Sequence, residues 1–255
     1  MFVPDHVSLA TLALFTAIIF ASGLVHGTLG LGFPVVATPL LALFLDVRTA
    51  ILITLLPTAT VNIASVLRGG HWRESLGKFW PLAAYAVIGS ALGTWLIIVS
   101  DPSPFKLVLA LLIFLYLGSG WLGTLKISWA KTHRRSSMLV FGLMAGVAAG
   151  TTNVMVPILI IYTLELGLAT TAMVQVFNMC FLAGKLMQIA TFAGAGVLGP
   201  EFLLSTVPLA GVALAALFLG MALRDRISTD NYRVIIRGVL FVVALILIGQ
   251  FILGR

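Results

Sequence analysis

The chain has 255 residues, of which 60% are hydrophobic and only 9% are charged, whereas roughly 25% of residues are charged in a soluble domain. Together with a mean hydropathy of +1.15, this composition excludes an ordinary soluble protein and predicts a membrane protein. The net charge of +7 would suggest nucleic acid in a soluble protein, but here the basic residues lie in short loops between apolar runs. We therefore expect no nucleic-acid partner and attribute the charge to orientation in the lipid bilayer.

The first apolar region is interrupted by the stretch GTLGLGFPVVATP at positions 27–39. An apolar run, Ser8–Val25, precedes the interruption, and a run of only 12 residues, Pro34–Leu45, follows its glycines. Glycine and proline both disfavour a continuous helix. A run this short reaches only about 18 Å, whereas the hydrocarbon layer is about 30 Å thick. The sequence therefore predicts a broken or re-entrant helical hairpin.

Six longer apolar runs have the length of membrane-spanning helices. They are Thr49–Leu67, Gly77–Val99, Phe105–Leu125, Leu168–Ala193, Phe202–Leu223 and Val234–Leu253. Between the third and the fourth lies a second interrupted region, in which Met138–Gly150 is followed by Thr-Thr-Asn and by the 11-residue run Val154–Leu164. We expect a second broken hairpin there.

The two interrupted regions resemble each other. GLVHGTLGLGFPVVATPLLALFL begins at Gly23, and GLMAGVAAGTTNVMVPILIIYTL begins at Gly142, a spacing near 119 residues. Three predicted spans separate the hairpins, so they enter the membrane from opposite faces. The sequence therefore predicts an all-α integral membrane protein with two inverted repeats, each a broken hairpin plus three transmembrane helices. Residues 1–130 form the first repeat in this prediction and residues 131–255 the second.

Lys and Arg concentrate on one predicted face, which we call the basic face. It carries eleven of them: Arg68, Arg73, Lys78, Lys126, Lys131, Arg134, Arg135, Arg224, Arg226, Arg233 and Arg237. The opposite face carries three, namely Arg48, Lys106 and Arg255. The loops of the basic face are flanked by Trp72, Trp80, Trp121 and Trp129, as is typical of interfacial anchors. The positive-inside rule then predicts a multi-pass protein of the cell inner membrane with both termini on the non-cytoplasmic side.

The two interruptions have the chemistry of an anion site. A helix that starts inside the bilayer directs free N–H groups and the positive end of its dipole toward the break. Glycine allows a ligand to approach the backbone, and short polar side chains add donors. We predict substrate contacts at these turn residues: Gly27, Thr28, Gly30, Gly32, Gly150, Thr151, Thr152 and Asn153. The alternative, close helix packing by small residues, is favoured for Gly23 and Gly142.

The helices after the hairpins carry polar stripes. Thr54, Thr58, Asn62 and Ser65 share one helix face, and Gln175, Asn178 and Lys185 share another. Of these we select Asn62, Asn178 and Lys185 as further substrate contacts, because polar groups inside a span are functional candidates. Snorkelling of Lys185 to the interface is its alternative.

His26 directly precedes the first glycine turn. It is the candidate for coupling, with a proton or a sodium ion as the coupling ion. Its alternative is a neutral hydrogen-bonding or packing role.

Signatures of enzymes are missing from the sequence. It contains no H-E-x-x-H, no G-x-S-x-G and no G-x-x-x-x-G-K-[ST] motif. The histidines are scattered, and the single cysteine, Cys180, excludes an intrachain disulfide. We therefore expect no enzymatic activity, no catalytic residue, no cofactor and no metal site.

The pattern resembles the TauE/SafE family of sulfite exporters, in the 4-toluene sulfonate uptake permease superfamily, over nearly the whole chain. The first family signature reads G-x-x-x-G-x-x-G-x-G-G-G-x-x-x-x-P, and the chain matches it at Gly23, Gly27, Gly30, Gly32 and Pro39. Phe33 and Pro34 replace two of its glycines, and the second, glycine-rich signature is replaced after Gly150 by Thr-Thr-Asn. The resemblance implies export of small sulfur-containing anions, such as sulfite, sulfoacetate or related organosulfonates, by a secondary transporter with alternating access.

Other functions remain open at this stage. The chain could import, or conduct as a channel, another small organic or inorganic anion. It could also be a membrane enzyme, or a subunit that binds a sulfur metabolite for a partner. The sequence does not indicate an oligomeric state.

Overall fold

The protein is described by a computed structural model that covers residues 8–70, 72–119, 129–224, 226 and 229–254. Within these residues the chain forms twelve α-helices and no strand. They are α1 Leu9–Leu29, α2 Phe33–Ala42, α3 Val47–Gly69, α4 Trp72–Val99, α5 Phe105–Leu117, α6 Trp129–Thr132, α7 Arg134–Thr152, α8 Val156–Glu165, α9 Thr170–Gly194, α10 Pro200–Ser205, α11 Val207–Leu223 and α12 Thr229–Ile252. The predicted topology residues Trp121, Lys126 and Arg255 lie outside the described residues.

Six of the helical segments in the described ranges are long and apolar enough to cross a membrane. They are Leu9–Leu29, Val47–Gly69, Ser75–Val99, Thr170–Gly194, Pro200–Leu223 and Arg233–Ile252. The protein is therefore an all-helical, multi-pass membrane protein, as predicted. Most helix bounds differ from the prediction by a few residues, and two differences change which segments are long enough to span the membrane. The first arm continues to Leu29, which makes α1 long enough to span, and α5 ends at Leu117 instead of Leu125.

Both predicted helix breaks are present. A 10-residue helix follows each break, α2 in the first half and α8 in the second. Each short helix has a proline in its first turn, where the missing N–H breaks no hydrogen bond of the helix. Pro34 and Pro157 lie 123 positions apart, as do Gly30 and Asn153, the residues at which α1 and α7 end.

The 123-residue spacing differs by one helical turn from the 119 residues suggested by the sequence. The sequence comparison aligned Gly23 with Gly142, whereas the helix ends align Gly23 with Gly146 and Gly27 with Gly150. The reason is that glycines recur every four residues on α7, at 142, 146 and 150. A shift of one turn therefore leaves most of the glycine pattern matched.

The helices of the two halves interlock. α4 packs along α7, and α1 packs along α11. α3 and α9 lie against each other at the centre. Buried residues make up 67% of the apolar window of α3 and 56% of that of α9, compared with 28% in α11 and in α12. The two central helices are thus the ones that carry the predicted polar stripes.

Candidate functional site

The first break owes its shape to two glycines. Gly30 ends α1 with φ 78° and Gly32 precedes α2 with φ 113°. These left-handed values suit glycine and strain other residues. The Gly30 N–H donates to the His26 carbonyl at 2.7 Å and closes the last turn of α1. A Cβ on Gly32 would meet only the Val25 side chain, at 3.6 Å. Gly32 is therefore required for its backbone conformation.

His26 joins this break to α3 and is almost fully buried. Its Nδ1 accepts the N–H of Phe33, the first residue of α2, at 3.3 Å, and its Nε2 lies 3.0 Å from the Ser65 hydroxyl. Because Nδ1 acts as an acceptor, the proton of the neutral ring lies on Nε2, which donates to Ser65. The imidazole therefore accepts the Phe33 N–H, the first free donor of α2, in place of an anion. Its role in coupling stays a prediction.

Two other predicted residues lie at this break. The Thr28 hydroxyl donates to the carbonyls of its own helix, at Leu24 and Val25. Asn178 reaches across from α9, and its Nδ2 donates to the Gly30 carbonyl at 3.0 Å. The break is thus tied to both central helices, to α3 through Ser65 and to α9 through Asn178.

Asn153 organises the second break. It ends α7 with φ 66° and is fully buried, and its N–H donates to the Ala149 carbonyl at 2.9 Å. Asparagine tolerates the left-handed region better than most residues, so it can replace glycine here. Its side-chain Nδ2 donates to the hydroxyls of Thr38 at 2.8 Å and Thr54 at 3.0 Å. The neighbouring Thr151 and Thr152 donate to carbonyls of α7 itself.

Lys185 places a positive charge inside the protein. The residue is 3% exposed, and its ammonium donates to Asn153 Oδ1 at 2.5 Å and to Gln188 Oε1. Gln188 in turn donates to the carbonyls of Ala149 and Gly150 at 3.3 Å and 3.1 Å. The ammonium therefore lies near the carboxyl end of α7, where the helix dipole favours a cation. The snorkelling alternative for Lys185 is wrong in this structure, since the side chain does not reach the surface.

The polar stripe of α3 connects the two breaks. Thr54 bonds Asn153 at one end, and Ser65 bonds His26 at the other. Between them lie Thr58 and Asn62, both fully buried. The Thr58 hydroxyl and both polar atoms of the Asn62 amide have no hydrogen-bond partner among the described residues. Buried polar atoms without partners are uncommon, so this segment is the best-supported place for a bound ion or molecule.

A cavity of about 360 Å³ opens beside the first break. Its wall contains Gly27, Thr28, Gly30, Ser65, Gln175 and Asn178, and its rim contains Arg68, Arg224 and Arg233. All three arginines belong to the predicted basic face. Arg68 lies 4.6 Å above the Phe218 ring, which fixes its guanidinium on the α11 side. The three arginines give this side of the cavity a positive electrostatic potential, which attracts small anions.

Several predicted glycines serve helix packing. A Cβ on Gly27 would lie 2.2 Å from the Leu217 carbonyl oxygen of α11. A Cβ on Gly150 would lie 2.6 Å from backbone atoms of Ser90 and Thr94 in α4. Gly23 and Gly142 make similar contacts, in agreement with the packing role favoured for them. Substrate contacts of Gly27 and Gly150 stay predictions.

The prediction omitted three residues of this site: Thr38, Gln188 and Arg68. Gln188 follows Lys185 by one turn and shares its face, so an extension of the stripe would have found it. Thr38 is a polar residue between apolar neighbours of α2, and the sequence places Arg68 only among the basic residues that set the topology. Within the described ranges, no group of three or more His, Cys, Asp or Glu side chains could hold a metal ion.

Comparison with known proteins identifies the family. The family model described as "Sulfite exporter TauE/SafE" matches residues 15–247, which include both breaks and all the residues of the candidate site. No curated protein and no solved structure matches the chain. The matched range covers nearly all of the 255 residues. The chain therefore belongs to the TauE/SafE sulfite exporter family, a family of membrane anion transporters.

Proposed function

We propose that this protein is a secondary transporter that exports small sulfur-containing anions, such as sulfite, sulfoacetate or related organosulfonates, by alternating access. The observation that carries the proposal is the cavity beside the first break, whose rim is lined by Arg68, Arg224 and Arg233. Family membership supplies the substrate class, and the cavity supplies a route from the basic face to buried polar groups.

The charges of the rim suit the first step of transport. Three guanidinium groups raise the local concentration of anions at the mouth. From there the anion would move toward Asn62, whose amide Nδ2 is a buried donor with no partner in the described structure. Lys185, on the other side of this polar segment, provides a second positive charge. The charged residues thus lie at both ends of the proposed path.

The proposed alternating access rests on two inverted repeats, residues 1–130 and 131–255. The order of helices supports it, since each half has a long helix, a break, a 10-residue helix and a long central helix. The contacts support it as well, because α1 packs on α11 as α7 packs on α4. Such an exchange of neighbours is expected for two repeats related by a pseudo-twofold axis.

The burial of the two breaks differs. Leu29, Gly30 and Leu31 are partly exposed, whereas Thr152, Asn153 and Val154, the equivalent positions of the second break, are buried. In an inverted repeat, this difference corresponds to one open and one closed half-site. We place the open side, the basic face, in the cytoplasm of the cell inner membrane, with both termini outside. Capture of the anion from this side leads to export.

Reconstituted vesicles test the function. Labelled sulfite or sulfoacetate should show saturable counterflow in vesicles with wild-type protein. Arg68→Gln should raise the half-saturating concentration at least fivefold, about 1 kcal/mol, because the variant removes a charge from the cavity rim. Arg135→Gln is the matched control, since Arg135 is on the same predicted face and does not line the cavity.

Three results would contradict the proposal. Flux that does not saturate would indicate a channel, and chemical conversion without flux would indicate an enzyme or a binding subunit. Equal behaviour of the Arg68 and Arg135 variants would remove the cavity from the path.

A further inference from the structure

We propose that a monovalent cation binds next to the first break, at a site formed by Asn62, Asn178 and Thr58. Sodium is the ion that suits the neutral oxygen atoms of this site. The inference rests on the proposed function, in which this ion would be the coupling ion. It is carried by a comparison of equivalent positions in the two halves and by a set of buried oxygen atoms without partners.

The equivalent positions differ by one charge. Asn62 and Lys185 lie 123 positions apart, the same spacing as the helix ends at Gly30 and Asn153. In the second half, the Lys185 ammonium lies at the carboxyl end of α7, the broken helix. In the first half, the Gly30 carbonyl at the carboxyl end of α1 accepts a hydrogen bond from Asn178, and the position equivalent to Lys185 is Asn62, a neutral residue. One half-site therefore contains the positive charge of a side chain, whereas the equivalent position of the other half-site is neutral.

Unpartnered oxygen atoms lie on both central helices near the neutral position. Asn62 Oδ1, Thr58 Oγ1 and Asn178 Oδ1 are buried and have no hydrogen-bond partner in the described part of the chain. Gln175 Oε1 is also unpartnered but lies against Gly69, nearer the basic face. The orientations of two amides are fixed, because Asn178 Nδ2 donates to the Gly30 carbonyl and Gln175 Nε2 donates to the Val66 carbonyl. A flip would set oxygen against oxygen, so these side-chain oxygens must be the free atoms.

The contacts between α3 and α9 place Asn178 and Asn62 at the same depth. Gln175 bonds Val66, and Lys185 is linked through Asn153 to Thr54. The two helices therefore run in opposite directions. Asn178 lies about one turn farther from the basic face than Gln175, and Asn62 lies about one turn farther from it than Val66. The two amides thus lie at similar depth on two helices that pack against each other.

The chemistry of the oxygens selects the ion. Amide and hydroxyl oxygens are hard, neutral ligands, and the carboxyl end of a broken helix contributes negative partial charge. Divalent ions prefer carboxylate ligands, and the cluster has none. His26 beside it accepts a hydrogen bond at Nδ1 and so carries no extra proton. A monovalent cation satisfies the oxygens and offsets the charge of an anion inside the membrane.

Thermal unfolding of the purified protein in detergent tests the site without any measurement of transport. The unfolding midpoint should rise with sodium chloride concentration, and not with choline chloride at the same ionic strength. Asn62→Ala and Thr58→Val should each abolish the sodium-specific rise. Thr60→Val is the control that should keep it, because the Thr60 hydroxyl bonds carbonyls of its own helix.

A gain-of-function variant makes the test sharper. Asn62→Lys supplies an ammonium at the position equivalent to Lys185, so the variant should unfold at the same temperature with and without sodium. Equal midpoints of the wild type in sodium and choline chloride would overturn the inference, as would a sodium response that survives both Asn62→Ala and Thr58→Val. Labelled sulfite flux in choline-only vesicles separates this failure from a failure of the transport proposal. Saturable flux that does not depend on sodium would reject the cation site and leave the transport proposal intact.

Discussion

Lys185 is the residue at which burial and charge are in strongest conflict. A charged side chain at the centre of a span costs at least about 2.5 kcal/mol, and no described carboxylate forms an ion pair with it. Its ammonium is stabilised by two amide oxygens, those of Asn153 and Gln188, and by the end of α7. Under the proposed function, the positive charge of Lys185 interacts with the transported anion.

Replacement of Lys185 by methionine tests this use. Lys185→Met should raise the half-saturating concentration of labelled sulfite at least tenfold, about 1.4 kcal/mol, because the variant removes a positive charge from the path. The measurement is uptake into reconstituted vesicles. Leu186→Met is the control, since Leu186 is adjacent and 54% exposed on the outer surface of the protein. Unchanged affinity of Lys185→Met would give the ammonium a structural role only.

Glycines at the helix contacts permit a second prediction. Gly150→Ala should lower the stability by about 1–3 kcal/mol through overpacking against α4, since its Cβ would lie 2.6 Å from backbone atoms. Thermal unfolding measures the change. Gly211→Ala on α11 is the matched control, because a Cβ there meets no atom of the described chain within 4 Å. Equal unfolding midpoints for the two variants would mean that α4 and α7 can move apart without a loss of stability.

The residues of the site were predictable to different degrees. Helical spacing identified Asn62, Asn178 and Lys185, because polar residues on one face of an apolar helix are conspicuous. Their partners were not identified, since Asn153 contacts Thr38 across 115 positions of the chain and Lys185 across 32. Helical spacing reports which residues share a face, and it does not report which helix that face meets.

At the scale of elements, glycine and proline predict both breaks, and the lengths of the apolar runs predict five of the six long helices in the described residues. The sixth, α1, is predicted as the first arm of a hairpin, and the predicted span Phe105–Leu125 corresponds to the shorter helix α5. The predicted end of α1, Val25, lies four residues before the observed end, Leu29, because the sequence around Gly27 looks like a turn although Gly27 packs inside the helix. The repeat spacing was misjudged for a related reason. A glycine at every fourth position makes neighbouring registers of a helix nearly indistinguishable by sequence.

The second break allows a prediction about its cap. Asn153→Gly and Asn153→Ala both remove the hydrogen bonds to Thr38, Thr54 and Lys185. Alanine also has to adopt φ 66°, which costs about 1–2 kcal/mol more. The Gly variant should therefore unfold at a higher temperature than the Ala variant, the reverse of the order in a helix interior. A less stable Gly variant would contradict the left-handed cap.

For the whole molecule, the buried polar groups form a path between the two breaks. On α3 it runs from Thr54 to Ser65, and on α9 from Lys185 to Asn178. Each break is tied to both central helices, so a movement of α3 against α9 would alter both breaks together. Alternating access requires this coupling, since one side has to close when the other opens.

The orientation of the path can be tested with cysteines introduced into a Cys180→Ala background. Thr171 lines the cavity of the basic face, and Asp101 is exposed after the opposite end of α4. With the basic face in the cytoplasm, a membrane-impermeant maleimide should label Thr171→Cys only in inside-out vesicles and Asp101→Cys only in right-side-out vesicles. Sulfite should slow the labelling of Thr171→Cys alone, because the anion enters that cavity. The opposite labelling pattern would show that the basic face lies outside the cytoplasm. The cavity of the proposed exporter would then open to the outside.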